Sequence, residues 1–176
     1  MTAKSGLRNL AIAVALITAS AFVAGFAGVR VNTSSSLPLG LYVRTSQSSA
    51  GLIEFCPSEP YASISRDRGY RVRGFSCPDR AVPLLKPVVA HAGDVVQVSP
   101  AGIAVNGRLL PKTAPLRRDA ANRPLQAWPS GTYRVRPGTV WVASTYSRGS
   151  YDSRYIGPVE EKSIRGRLRP LWLLHS

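Results

Sequence analysis

From Leu10 to Val29 the chain runs 20 residues without a charge, with Thr18 and Ser20 its only polar side chains. At ~1.5 Å per residue a helix of that length crosses a hydrocarbon core of ~30 Å. Lys4 and Arg8 precede it and Arg30 follows. The pattern predicts an N-terminal segment over 1–9, which the cysteines below assign to the cytoplasm, a transmembrane anchor over 10–29 and a catalytic or binding domain over 30–176. Gly25-Phe26-Ala27 offers a small-x-small cleavage pattern, so a cleaved export signal is the rival reading. The apolar part of such a signal is usually ~15 residues or fewer, which favours an uncleaved anchor.

Beyond the anchor, short apolar and β-branched runs are broken by Gly, Pro and Asn. Val95-Val96-Gln97-Val98 ends in the turn sequence Ser99-Pro100-Ala101-Gly102. Ile103-Ala104-Val105 then meets Asn106-Gly107, a dipeptide suited to a tight hairpin, and Arg108-Leu109-Leu110 returns. Tyr133 to Val135, Pro137-Gly138, and Val140 to Ala143 read as strand, turn and strand. Ile164, Gly166 and Leu168 alternate with Arg165, Arg167 and Arg169, one face for the core and one for water. No later stretch keeps a 3.6-residue apolar period. The expectation is an all-β domain of antiparallel sheets behind one N-terminal helix. Residues 58–80 and 112–130 read as irregular excursions.

Composition narrows the chemistry. The formal net charge is +14, yet 44% of residues are hydrophobic and only 18% charged, which argues against a disordered polycation. Two His far apart and no C-x-x-C pair leave no basis for a metal centre, and no cofactor is expected. Positive residues on the two sides of the anchor nearly balance and do not orient it. The cysteines do. Cys56 and Cys77 lie in a Pro/Arg-rich loop region, a poor place for two buried core thiols. A disulfide there would stabilise the fold by roughly 3 kcal/mol and needs an oxidising compartment. Two unpaired thiols are the alternative. The disulfide reading puts 30–176 on the periplasmic side of the inner (cytoplasmic) membrane, single-pass.

Lysine is scarce: four, against 19 arginines. Lys86 stands out, between Pro83-Leu84-Leu85 and Pro87-Val88-Val89-Ala90. At a pKa of about 10.4 only about one lysine in 2500 is neutral at pH 7. Burial can lower that pKa by several units, and about three units would yield a usable base. An edge-strand lysine reaching solvent is the competing reading. A base needs a hydroxyl to activate, and Ser34-Ser35-Ser36-Leu37-Pro38-Leu39-Gly40 supplies serines on a stiff turn. Three adjacent serines leave the nucleophile ambiguous on this ground alone.

Order and spacing add what composition cannot. Asn32-x-x-x-Ser36-x-Pro38-x-Gly40-x-Tyr42, then Leu84-Leu85-Lys86 through Gly93-Asp94, then Ser150-Tyr151-Asp152-Ser153-Arg154 occur in that order. This set resembles the membrane-anchored serine/lysine signal peptidases, and more narrowly the TraF-type peptidases of conjugative transfer, which process pilin precursors. The resemblance implies Ser36 as nucleophile and Lys86 as general base. It implies that the Ser34 hydroxyl and the Ser36 N–H form an oxyanion hole. It further implies that Ser150 hydrogen-bonds the lysine, that Asp152 is required, and that Arg154 pairs with Asp152 or with neighbouring backbone in a structural role. Implied partners are a pilin-like precursor protein, the lipid bilayer and components of conjugative transfer or type IV secretion. The acyl group can pass to water or, in pilin-processing relatives, to the substrate's own amino terminus with cyclisation.

Departures are visible. Pro87 replaces a frequent Arg, His91-Ala92 a usual Leu-Pro, and Ala143-Ser144-Thr145 the Gly-Asp-Asn of general signal peptidases. A Ser-His-Asp triad would need His91, which reads as a solvent-exposed turn residue, or His175, the penultimate residue. The arginine clusters lack any nucleic-acid-binding module, and nucleic acid is not an expected partner. Two alternatives to a pilin-processing enzyme stay open: a general leader peptidase, and a non-catalytic membrane-anchored pilus-assembly module on the same scaffold.

Overall fold

Residues 3–26, 28–47 and 51–174 are described in a computed structural model, together with the side chains of 6–16 and 18 in its first helix. Helix α1 (Ala3–Phe26) leads into β1 (Val29–Asn32), so the chain enters the sheet at Val29, the last residue of the expected anchor. There follow β2 (Gly40–Thr45), β3 (Leu52–Phe55), α2 (Tyr61–Asp67), β4 (Leu84–Ala90), β5 (Val95–Ser99), β6 (Gly102–Val105), β7 (Arg108–Leu109), β8 (Gly131–Arg134), β9 (Thr139–Val142), α3 (Ser153–Ile156), β10 (Val159–Glu160) and β11 (Ile164–Leu173). Among the described residues no helix is long and apolar enough to cross a membrane. The side chains of 19–27, which the anchor and the cleavage-site readings both use, lie outside those described, as does His175.

The strands form two antiparallel sheets, one of seven in the order β1-β2-β11-β3-β4-β9-β10 and one of four in the order β7-β6-β5-β8. The mostly-β expectation holds. Asn106 and Gly107 both adopt positive φ, 49° and 82°, and turn β6 into β7 as the dipeptide predicts. The strand-turn-strand around Pro137-Gly138 has a less local outcome. β8 pairs with β5, whereas β9 pairs with β4 and β10, so that turn passes the chain from one sheet to the other. Within 58–80 the structure departs from the irregular reading, because Tyr61–Asp67 is a two-turn helix that buries Ala62 and Ser65. Residues 112–130 remain without a strand, with one isolated bridge between Arg118 and Pro124.

The core that positions the site packs Ile53 and Phe55 of β3 and Leu84 of β4 against Val140, Val142, Tyr151, Tyr155 and Ile156. Successive strand residues alternate faces, so Lys86 shares the face of Leu84 and lies opposite Ile53, which is fully buried. A lysine therefore occupies a core position. Cys56 and Cys77 form a disulfide that ties the end of β3 to the excursion before β4, in agreement with the paired-cysteine reading.

Candidate active site

The turn between β1 and β2 is built by the residues of its own sequence pattern. Asn32 is buried, and its side-chain amide donates to the carbonyls of Ser34, Leu37 and Pro38. Tyr42 Oη donates to the Pro38 carbonyl at 2.7 Å. Gly40 faces Leu173 across the β2–β11 ladder with φ +149°, and a Cβ there would sit 2.3 Å from the Trp172 carbonyl oxygen. Only glycine lets the strands close here. Asn32, Pro38, Gly40 and Tyr42 together hold the loop that carries Ser36.

Fifty residues later, Lys86 Nζ lies 2.6 Å from Ser36 Oγ, to which it donates. Both side chains are buried, the lysine 4% exposed and the serine 8%. Of the three adjacent serines, the structure thus selects Ser36 as the one in contact with the amine, and Lys86 does not snorkel to solvent. Burial dominates its titration and lowers the pKa from 10.5 to about 8; the nearby Asp152 carboxylate opposes that shift and the Arg154 guanidinium adds to it. At pH 7 about one such amine in ten is neutral, roughly 250 times the share of an ordinary lysine. In the neutral form the same short contact lets the serine O–H donate to Nζ.

Asp152 and Arg154 are fully buried beside the pair and joined by an ion pair of 2.8 Å. Asp152 accepts from the Arg154 N–H and side chain and from the Ser144 N–H, and Arg154 also donates to the carbonyls of Lys112, Arg148 and Ser144. Every heteroatom of the pair is engaged, the condition under which two charges persist in a dry interior.

The two supporting serines are placed differently from the expectation. Ser150 is buried, but its hydroxyl finds no hydrogen-bond partner, and no bond joins it to Lys86, whose amine points to Ser36. Ser34 lines the same cleft with its hydroxyl donating to Asn32 Oδ1 at 2.9 Å. It must rotate to reach an oxyanion at Ser36. His91 lies in an exposed turn closed by Asp94, away from this cluster. One residue that the sequence reading names only within a departure, without a role, contacts the nucleophile loop. Ser144, fully buried, donates from Oγ to the Ser36 carbonyl at 2.6 Å. Its only trace in the sequence is its departure from the Gly-Asp-Asn pattern.

The pair opens on a cleft of about 750 Å³ whose walls include Asn32, Ser34, Tyr70, Val72, Leu85 and Tyr151. Arg30 and Glu54 also line it, and Glu54 pairs with both Arg30 and Arg44. A cleft of this size accommodates several residues of an extended peptide.

A buried lysine amine against a serine hydroxyl, on antiparallel sheets, defines the class. The chain belongs to the signal peptidase family, peptidase S26, whose family model matches residues 5–173. Within reach of it stand the plasmid transfer protein TraF of Escherichia coli, 38% identical over 160 residues and 89% of each chain, and a probable conjugal transfer protein TraF of Sinorhizobium fredii, 40% identical over 152 residues, 81% of this chain and 76% of that one. Among solved structures, a signal peptidase I from Enterococcus faecalis aligns with a TM-score of 0.38 and 17% identity, over 72% of this chain and 99% of that one.

Proposed function

We propose that the protein is a membrane-anchored serine endopeptidase of conjugative transfer that processes a pilin-like precursor with a Ser36/Lys86 dyad. The observation that carries this reading is the 2.6 Å contact between a buried lysine amine, its pKa lowered to about 8, and a buried serine hydroxyl. Neutral Lys86 takes the Ser36 proton while Oγ attacks the scissile carbonyl. The tetrahedral intermediate collapses as Lys86 returns that proton to the leaving amine, which leaves an ester on Ser36. Lys86 then deprotonates water, and the acyl group departs as a carboxylate. Where the substrate's own amino terminus replaces water, the product is cyclic. The Ser36 N–H, with the Ser34 hydroxyl after rotation, stabilises the oxyanion.

The names of the relatives, plasmid and conjugal transfer proteins, support the pilin-like substrate and an envelope location over a housekeeping leader peptidase. The anchor rests on the uncharged run of residues 10–29 and on the exposure of Leu7, Leu10, Ile12, Val14 and Leu16 along α1, since no described helix is by itself long and apolar enough to cross a membrane. The disulfide supports a periplasmic location for 30–176.

The test is co-expression of a conjugative pilin precursor with wild type, Ser36→Ala or Lys86→Ala, followed by mass spectrometry of the product. The dyad predicts processing by wild type alone. Equal processing by all three would leave a non-catalytic assembly role, and cleavage of many unrelated exported precursors would point to a general leader peptidase. A product one water lighter than the hydrolysed form identifies cyclisation.

A further inference from the structure

Ser36 sits on a loop that its own amide network leaves incompletely held. Asn32 takes the carbonyls of Ser34, Leu37 and Pro38, but not that of Ser36. The missing restraint comes from 108 residues away, where Ser144 Oγ donates to the Ser36 carbonyl at 2.6 Å. The direction of that proton is settled by the rest of the hydroxyl's bonds, because Ser144 Oγ accepts from the N–H groups of Tyr146 and Ser147, each at 3.1 Å. With its acceptor sites used, its one proton has the Ser36 carbonyl as partner.

Ser144 is in turn clamped at both ends of its backbone by the buried ion pair. Its N–H donates to Asp152 Oδ2 at 2.9 Å, and its carbonyl accepts from the Arg154 guanidinium at 2.9 Å. A continuous path of hydrogen bonds therefore runs from Asp152 and Arg154 through Ser144 to the peptide unit of Ser36. Fixing that carbonyl fixes ψ of Ser36 and hence the direction in which its Cα–Cβ bond presents Oγ to Lys86.

We infer that Ser144 is a positioning residue that couples the Asp152–Arg154 pair to the nucleophile, setting the attack geometry of Ser36 without touching substrate. This rests on the Ser36/Lys86 reading. A nucleophile displaced by about 1 Å loses up to roughly 100-fold in rate, while ground-state binding elsewhere in the cleft is unaffected.

The test uses the full-length protein in detergent micelles with a fluorogenic peptide whose acyl side ends in alanine, and compares wild type, Ser36→Ala, Ser144→Ala, Ser144→Cys and Ser144→Thr. Ser144→Ala and Ser144→Cys, which lack a strong donor, are expected to lower kcat roughly 10- to 100-fold with KM within about twofold. Ser144→Thr, which keeps the hydroxyl, is expected to recover most of that loss. Thermal melts on the same samples show whether the protein remains folded at the assay temperature. Wild-type kcat in a Ser144→Ala protein, with Ser36→Ala inactive, overturns the inference and leaves the dyad standing. A kcat loss that follows the unfolded fraction, or one that Ser144→Thr and Ser144→Ala share equally while both stay folded, overturns it as well. Undiminished turnover by Ser36→Ala would instead remove the reading on which it rests.

Discussion

Asp152 and Arg154, two residues apart and both fully buried, form an ion pair at 2.8 Å that reaches the nucleophile loop through Ser144. Removing one member leaves the other charge in a dry interior. Asp152→Ala is expected to cost about 3–5 kcal/mol, read by chemical denaturation of the full-length protein. The double replacement Asp152→Leu with Arg154→Met is expected to cost less than the sum of the two single changes. Additive costs would mean that the two side chains do not depend on each other.

Lys86 makes the opposite prediction for stability. Its amine titrates at about 8 in the fold and near 10.5 when unfolded. Below pH 8 both states are protonated and the folded state carries the whole penalty of a buried charge. Between the two values the unfolded chain binds more protons, so stability rises with pH. Lys86→Met should therefore be more stable than wild type at pH 7, by about 3 kcal/mol, with the advantage gone by about pH 11. A pH-independent difference between the two proteins would contradict a depressed lysine.

Gly40 is the one position in the loop motif that admits no side chain. An added Cβ would overlap the Trp172 carbonyl and force β2 away from β11. Gly40→Ala is expected to lower stability by at least about 2 kcal/mol in denaturant unfolding. A substitution within a few tenths of a kcal/mol of wild type would show that the strands yield there without cost.

The Cys56–Cys77 bond holds the excursion whose residues Arg71, Val72 and Ser76 wall the cleft. Its loss removes a constraint worth roughly 3 kcal/mol on the unfolded chain. The double variant Cys56→Ser with Cys77→Ser should melt lower than wild type and ignore added reductant, while wild type drops to meet it. Identical melts with and without reductant in wild type would show that the bond contributes nothing.

The local parts of this account were readable along the chain, and the long-range ones were not. Asn106-Gly107 announces its hairpin because the turn's dihedrals depend on those two residues alone. Ser36, Lys86 and Asp152 were reachable through motif order, since each lies in a short segment with its own punctuation. Ser144 was not, because its importance comes from a carbonyl 108 residues distant, and a serine after an apolar strand has no signature of its own. Helix α2 was missed because two turns that bury only Ala62 and Ser65 carry too little periodicity to stand out. Likewise, nothing in Tyr133 to Ala143 states that β8 and β9 belong to different sheets, because strand partners are chosen by packing far along the chain.

The central claim is that a neutral Lys86 activates Ser36, and the pH dependence of turnover tests it most directly. With full-length protein and the fluorogenic peptide, kcat/KM should climb tenfold per pH unit below the amine's titration and level off near pH 8, the value burial imposes. Lys86→Ala should abolish the activity at every pH. A rate flat from pH 6 to 10, or one that survives in Lys86→Ala, would contradict the account.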